Sequence, residues 1–143
     1  MAQVFRKTSI TSETAHRMID AAERKAREIG HPMVIAVVDE AGVLKAFSRM
    51  DGAALLSVQV AQDKAYTAAG FGLSTDAWHD FIKNDPPLLH GITHTPRLVV
   101  FGGGFPIHLE GEIVGAIGLS GGHYTQDMEC ARAALAAIGA EAK

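Results

Sequence analysis

Hydrophobic positions recur with different periods along the chain, and each period predicts an element. Between residues 11 and 29, Ala15, Met18, Ile19, Ala22, Ala26 and Ile29 share one face at helical spacing, the mark of an amphipathic helix. Thr11 or Ser12 can cap its start, Glu13 sits in its first turn, and Gly30 before His31-Pro32 stops it. Residues 33–39 form a continuous apolar run rich in β-branched side chains, which predicts a strand buried on both faces. Glu40-Ala41-Gly42 turns the chain into a partner strand over 43–49. A second helix is predicted over 54–69. Its stripe of Ala54, Val58, Ala61, Ala65, Ala68 and Ala69 is made of small residues that permit close packing against the hairpin.

Gly70 and Gly72 end that helix, and a short helix capped by Ser74 or Thr75 is expected over 74–84. Residues 85–96 hold three of the five prolines. They predict the longest loop, a candidate binding loop or lid. Strands are expected over 97–101, 105–109 and 112–119, with a bend at Gly102-Gly103-Gly104 and a turn at Glu110-Gly111. A last helix, from about 125 to 138, presents Met128, Ala131, Leu135 and Ile138 on one face. Strands joined mostly by hairpins, with helices grouped around them, predict an α+β domain. The expected core is an antiparallel sheet of about five strands flanked by helices, in a single domain over 1–143.

Composition narrows the partners. The 143 residues are 48% hydrophobic and 20% charged, with a net charge of −3, as in an ordinary globular protein. The first half is nearly neutral and the second half acidic. Neither has the basic face that a nucleic-acid backbone requires, and no polybasic membrane patch is present. Cys130 is the single cysteine, so CxxC metal and redox motifs are excluded and a reducing compartment is compatible. No apolar run approaches the length of a membrane span, and residues 1–10 do not read as a secretion signal. A cytoplasmic location is the expectation.

Candidate chemistry gathers in a few places. Gly115-Ala116-Ile117-Gly118-Leu119-Ser120-Gly121-Gly122 leads into the last helix. Free backbone amides and the positive end of the helix dipole would favour an anion there, although the same glycines also suit a tight turn. Asp127, in the first turn of that helix, is either a helix-start charge or a polar group aimed at the same pocket. Arg49 and Asp51 end the hairpin, and Lys64 borders the alanine stripe, where it either snorkels or meets a ligand carboxylate. Five of the seven histidines follow residue 75, but no zinc-binding motif is formed and no metal site is expected. His90 and His94 lie in the proline-bracketed stretch. His16, at the margin of the first helix's apolar face, is a heme-ligand candidate or a half-buried core residue. Cys130 reads as an inert buried thiol.

Five ordered motifs resemble the GlcG/HbpS family, also called the heme-degrading domain. They are Ile35-Ala36-Val37-Val38-Asp39 through Gly42; Ser48-Arg49-Met50-Asp51-Gly52-Ala53; Lys64-Ala65-Tyr66-Thr67-Ala68-Ala69; Gly103-Gly104-Phe105-Pro106-Ile107; and Gly115 to Gly121 with Gln126-Asp127. The resemblance spans about residues 8–140 and extends to the C-terminal part of PduO-type corrinoid adenosyltransferases. It implies a profilin- or PAS-like sheet with flanking helices, a homo-oligomer, and heme or another tetrapyrrole as ligand, with heme degradation linked to some members.

Three functional readings follow. In the first, a tetrapyrrole is held with its propionates at Arg49, Lys64 or the glycine turn, and His16 ligates iron. The second is a cofactor-independent isomerase, hydratase or hydrolase acting on a small carboxylate-bearing metabolite of a catabolic pathway. There Arg49, Asp51, Lys64, Gly104, Ser120, Gly121 and Gly122 bind the anion, and Lys64 and Asp127 are the catalytic candidates. The third is a non-catalytic oligomeric accessory subunit, its small-residue stripe serving subunit packing.

Overall fold

The computed structural model describes residues 1–142. Its sheet has four strands, β1 (Val34–Asp39), β2 (Leu44–Arg49), β3 (Gly104–Leu109) and β4 (Glu112–Ser120), in the order β2-β1-β4-β3 with every pair antiparallel. The helices are α1 (Ser12–Glu28), α2 (Ser57–Phe71), α3 (Trp78–Ile82), α4 (Pro86–Gly91) and α5 (Tyr124–Ala137).

Alternation along the strands divides the core into two layers. Ile35, Val37, Ile107, Ile117 and Leu119 face α1 and α5, where Met18, Ile19, Ala22, Ala131 and Leu135 complete the larger cluster. Val34, Ala36, Val38 and Ala116 face α2, which meets them with Ala61, Ala65 and Ala68. The apolar run over 33–39 is thus covered on both sides, as its composition predicts. Thr11 caps α1 by accepting from the Thr14 amide at 3.1 Å.

Small residues bring α2 almost into backbone contact with the sheet. A Cβ on Gly118 would overlap the Ala61 carbonyl oxygen and lie 2.5 Å from the Ala65 amide nitrogen. One on Gly104 would lie 2.5 Å from the Lys64 carbonyl oxygen. Contrary to the expectation that it packs on the β1–β2 hairpin, α2 lies over β1, β3 and β4.

Two stretches differ from the sequence reading. Residues 97–101 are not a fifth strand. Arg97 turns into the left-handed region at φ +65°, and the Thr67 hydroxyl on α2 takes over the segment's backbone, donating to the Arg97 carbonyl and accepting from the Val99 amide. The proline-rich stretch is partly helical: Asp85 caps α4, whose first two positions are Pro86 and Pro87. Proline is tolerated there because those amides need no partner. A single 3-10 turn, Ile92–His94, follows.

The two outer strands are irregular. Lys45 is an extra residue in β2, between the pairs Val37–Ala46 and Val38–Leu44. Pro106 lies within β3.

Because α2 leaves no space for a Cβ on Gly118, Gly118→Ala is expected to destabilise the fold by about 3 kcal/mol, through overpacking against backbone that cannot move aside. Gly30→Ala, at φ +71° with open space around it, costs only about 1 kcal/mol. Urea unfolding of the two variants beside the wild type measures the contrast.

Candidate functional site

The proximity of α2 to the sheet decides where Lys64 goes. Its side chain is fully buried, and its Nζ donates to the Leu119 carbonyl on β4 and to Asp127 Oδ2 on α5, each at 2.8 Å. The Phe101 ring lies with its centroid 5.0 Å from Nζ. Asp127 is equally enclosed, and its other oxygen accepts from the Gly122 amide at 3.2 Å. Burial pushes the two groups in opposite directions: the Lys64 ammonium below its usual range and the Asp127 carboxyl above its own, with their mutual attraction opposing both shifts. The pair ties α2, β4 and α5 together across the sheet.

The glycine turn is closed by the chain's own side chains. Gly122 N–H is taken by Asp127, His123 N–H by Gln126 Oε1 at 3.1 Å, and Thr125 N–H by His123 Nδ1 at 3.3 Å. Ser120 Oγ donates to Ser57 Oγ, and Gly104 N–H donates to Thr75 Oγ1 at 2.8 Å. Gly121 packs against Pro32 and Met33. Lys64, Gly104, Ser120, Gly121, Gly122 and Asp127 therefore gather at one junction, as elements of an internal network. Arg49 and Asp51 lie apart from it, exposed, beside Glu23 and Arg27 in a shallow depression.

His16 is exposed on α1, not half-buried. Its Nδ1 sits 2.7 Å from the Ser12 carbonyl oxygen. A carbonyl only accepts, so Nδ1 donates in this contact, and Nε2 is left without a hydrogen bond among the described residues. His90 and His94 are exposed, and among the described residues no group of three or more His, Cys, Asp or Glu side chains is placed to hold a metal ion. Cys130 is buried, and desolvation pushes its thiol up to about 11.

A cavity of about 390 Å³ that the sequence did not reveal opens elsewhere. It lies between the β1–β2 turn, the C-terminal half of α2 and residues 95–98, with Glu40, Tyr66, Phe71, Trp78 and Arg97 in its walls. The expected binding loop contributes only its end, Thr95 and Pro96. The available signals were the lone tryptophan and the Tyr66-Thr67 pair inside the Lys64 motif; nothing in the local pattern linked them to Arg97.

Fold and site together define a small α+β domain with a sealed ionic junction, an outward-facing imidazole and one apolar-walled cavity. The family model described as haem degrading protein HbpS-like matches residues 10–136, and the chain belongs to that family. It is 40% identical over 129 residues to an uncharacterized 15.0 kDa protein in the dhaT-dhaS intergenic region of Citrobacter freundii, covering 89% of this chain and 90% of the relative. Among solved structures it superposes on the Klebsiella pneumoniae protein ORFY with a TM-score of 0.91 at 32% identity, covering 96% of each chain. It superposes on the PduOC:heme complex with a TM-score of 0.87 at 32% identity, covering 94% of this chain and 99% of that one. No helix among the described residues is long and apolar enough to cross a membrane.

Removing one partner of the buried pair leaves the other charge without compensation. Lys64→Met and Asp127→Leu are each expected to cost about 3–5 kcal/mol, and the double variant less than either; urea unfolding of all three measures this. The pH dependence has a fixed sign. A lysine whose folded pKa lies below 10.5 contributes stability above 10.5 and loses it as pH falls through the folded value. The deficit of Asp127→Asn relative to wild type therefore narrows as pH rises towards 10.5. Cys130 is expected to resist a thiol reagent at pH 8 in the native protein and to react at once in denaturant.

Proposed function

We propose that this chain binds heme, with His16 as the residue that would hold its iron. The observation that carries the reading is the His16–Ser12 hydrogen bond. Metal-ligating histidines commonly donate their second ring nitrogen to such an acceptor, which fixes the tautomer and aims the lone pair. Family membership and the likeness to the PduOC:heme complex support it.

The donor set fits a heme on the surface of α1. Arg17 and Arg24 lie one and eight residues beyond His16, about 80–100° round the helix from it. Neither has an ion-pair partner among the described residues, so both are free for propionates. None of the principal cavities includes His16. Heme supplies iron-centred ligand and redox chemistry when bound; the chain's own part is to hold and orient it.

The enzymatic reading built on Lys64 and Asp127 draws less support, because each already satisfies the other away from solvent. Titration with micromolar hemin is expected to give a Soret band that His16→Ala loses. An Arg17→Gln/Arg24→Gln variant keeps the band and weakens binding severalfold. An unchanged Soret titration in His16→Ala would remove His16, and no band in the wild type would remove heme.

A further inference from the structure

The cavity beside Tyr66 is lined by polar groups only partly satisfied among the described residues, and their combination is selective. Arg97 is held from several sides. Its backbone sits at φ +65°, a region that costs energy for any residue but glycine. Its carbonyl accepts from Thr67 Oγ1 at 2.8 Å, its Nε donates to Asp63 Oδ1 at 2.9 Å, and its guanidinium stacks 3.9 Å over the Tyr66 ring. The two terminal nitrogens have no hydrogen-bond partner among the described residues. A planar fork immobilised in this way gives up little further freedom on meeting a carboxylate.

Glu40 lines the same cavity. Its carboxylate has one long ion pair, Lys7 at 3.9 Å, and no hydrogen bond among the described residues; Oε2 is shut off from solvent without a partner. Trp78 adds a buried indole N–H that is also unpaired. The partly exposed Glu40 carboxylate, with no hydrogen bond of its own among the described residues, gains one from a ligand that brings a donor. Phe71 and Trp78 line the same cavity, their ring centroids 5.0 Å apart. The volume suits a small molecule.

The charges decide the class of guest. A plain carboxylate would meet Arg97 but be repelled by Glu40. A plain cation would meet Glu40 but be repelled by Arg97. A carboxylate with a hydrogen-bond donor beside it satisfies both walls. We propose that this cavity binds a small carboxylic acid with an apolar body and a hydroxyl or ammonium next to the carboxylate. Arg97 takes the carboxylate, Glu40 takes the donor, and Phe71 and Trp78 enclose the apolar part. The site is separate from His16 and independent of heme.

Trp78 is the single tryptophan, so its fluorescence reports on the cavity directly. Heme-free protein is titrated with mandelate, phenylglycine, phenylacetate and mandelamide, with ligand-observed NMR as a second measure of binding. Mandelate or phenylglycine is expected to saturate and to bind about tenfold or more tightly than phenylacetate, which lacks the donor, and mandelamide, which lacks the charge. Comparing the first two separates a hydroxy acid from an amino acid. Arg97→Gln is expected to erase the preference for mandelate over mandelamide. Arg97→Gly, which accepts the backbone conformation without strain, does the same in a fold that is kept. Glu40→Gln is expected to erase the preference over phenylacetate. Equal affinity of the wild type for mandelate and mandelamide, a preference that survives both Arg97 variants, or no saturable binding of either acid below about 10 mM would overturn the proposal.

Discussion

The distance between α2 and the sheet governs the rest of the molecule. Gly104 and Gly118 on the strands, and Ala61 and Ala65 on the helix, leave no space for side chains between the two backbones. A long side chain at position 64 cannot lie in that gap, so Lys64 reaches along it and emerges under Phe101 and beside Gly103. There it meets the Leu119 carbonyl and Asp127. The enclosed ion pair is thus a product of the packing. Two charges removed from water are tolerable only because each finds its partner and further hydrogen bonds there. Asp127 in turn uses up the Gly122 amide, which closes the turn before α5 to outside anions.

This leaves the polar chemistry of the surface to other residues. His16 stands outside the core on α1, with its Nδ1 donating to the Ser12 carbonyl. Arg97 and Glu40 line one cavity together with Tyr66, Phe71 and Trp78. The groups that look most reactive by type, a lysine and an aspartate within the motifs, are the best satisfied; of the less satisfied ones, His16, Trp78 and Arg97 lie outside the five motifs and Glu40 within the first.

Much of the fold was legible. The apolar run over 33–39, the helical spacing of Ala15 to Ile29 and the hairpin turn at Glu40-Ala41-Gly42 are local signals, and each became the element it predicts. The alanine stripe announced a close helix but not which strands it would cover, since that depends on the order β2-β1-β4-β3. The stretch 97–101 has strand-like composition but gives its backbone groups to Thr67, thirty residues away in sequence from Arg97. Pro86 and Pro87 read as loop formers because their other role, opening a helix behind Asp85, leaves the same composition. Of the candidate site, the sequence reading grouped Lys64, Gly104, Gly122 and Asp127 as one anion site, but together with Arg49 and Asp51, which the fold places apart. It could not show that those four satisfy one another, nor that Glu40, Trp78 and Arg97 line one cavity, because that cavity forms only when three separate segments converge.

The outer strands have a consequence for how copies of this chain can meet. An open β-edge is a template on which another strand can grow, and β2 and β3 both end the sheet. The additional lysine in β2 disrupts the ladder and sets a charge where a neighbour would have to dock, while the proline in β3 withholds a donor. Both flanks are therefore poor seeds for fibrillar growth. A continuous ladder running from one copy of this chain to the next is thus disfavoured at both ends of the sheet.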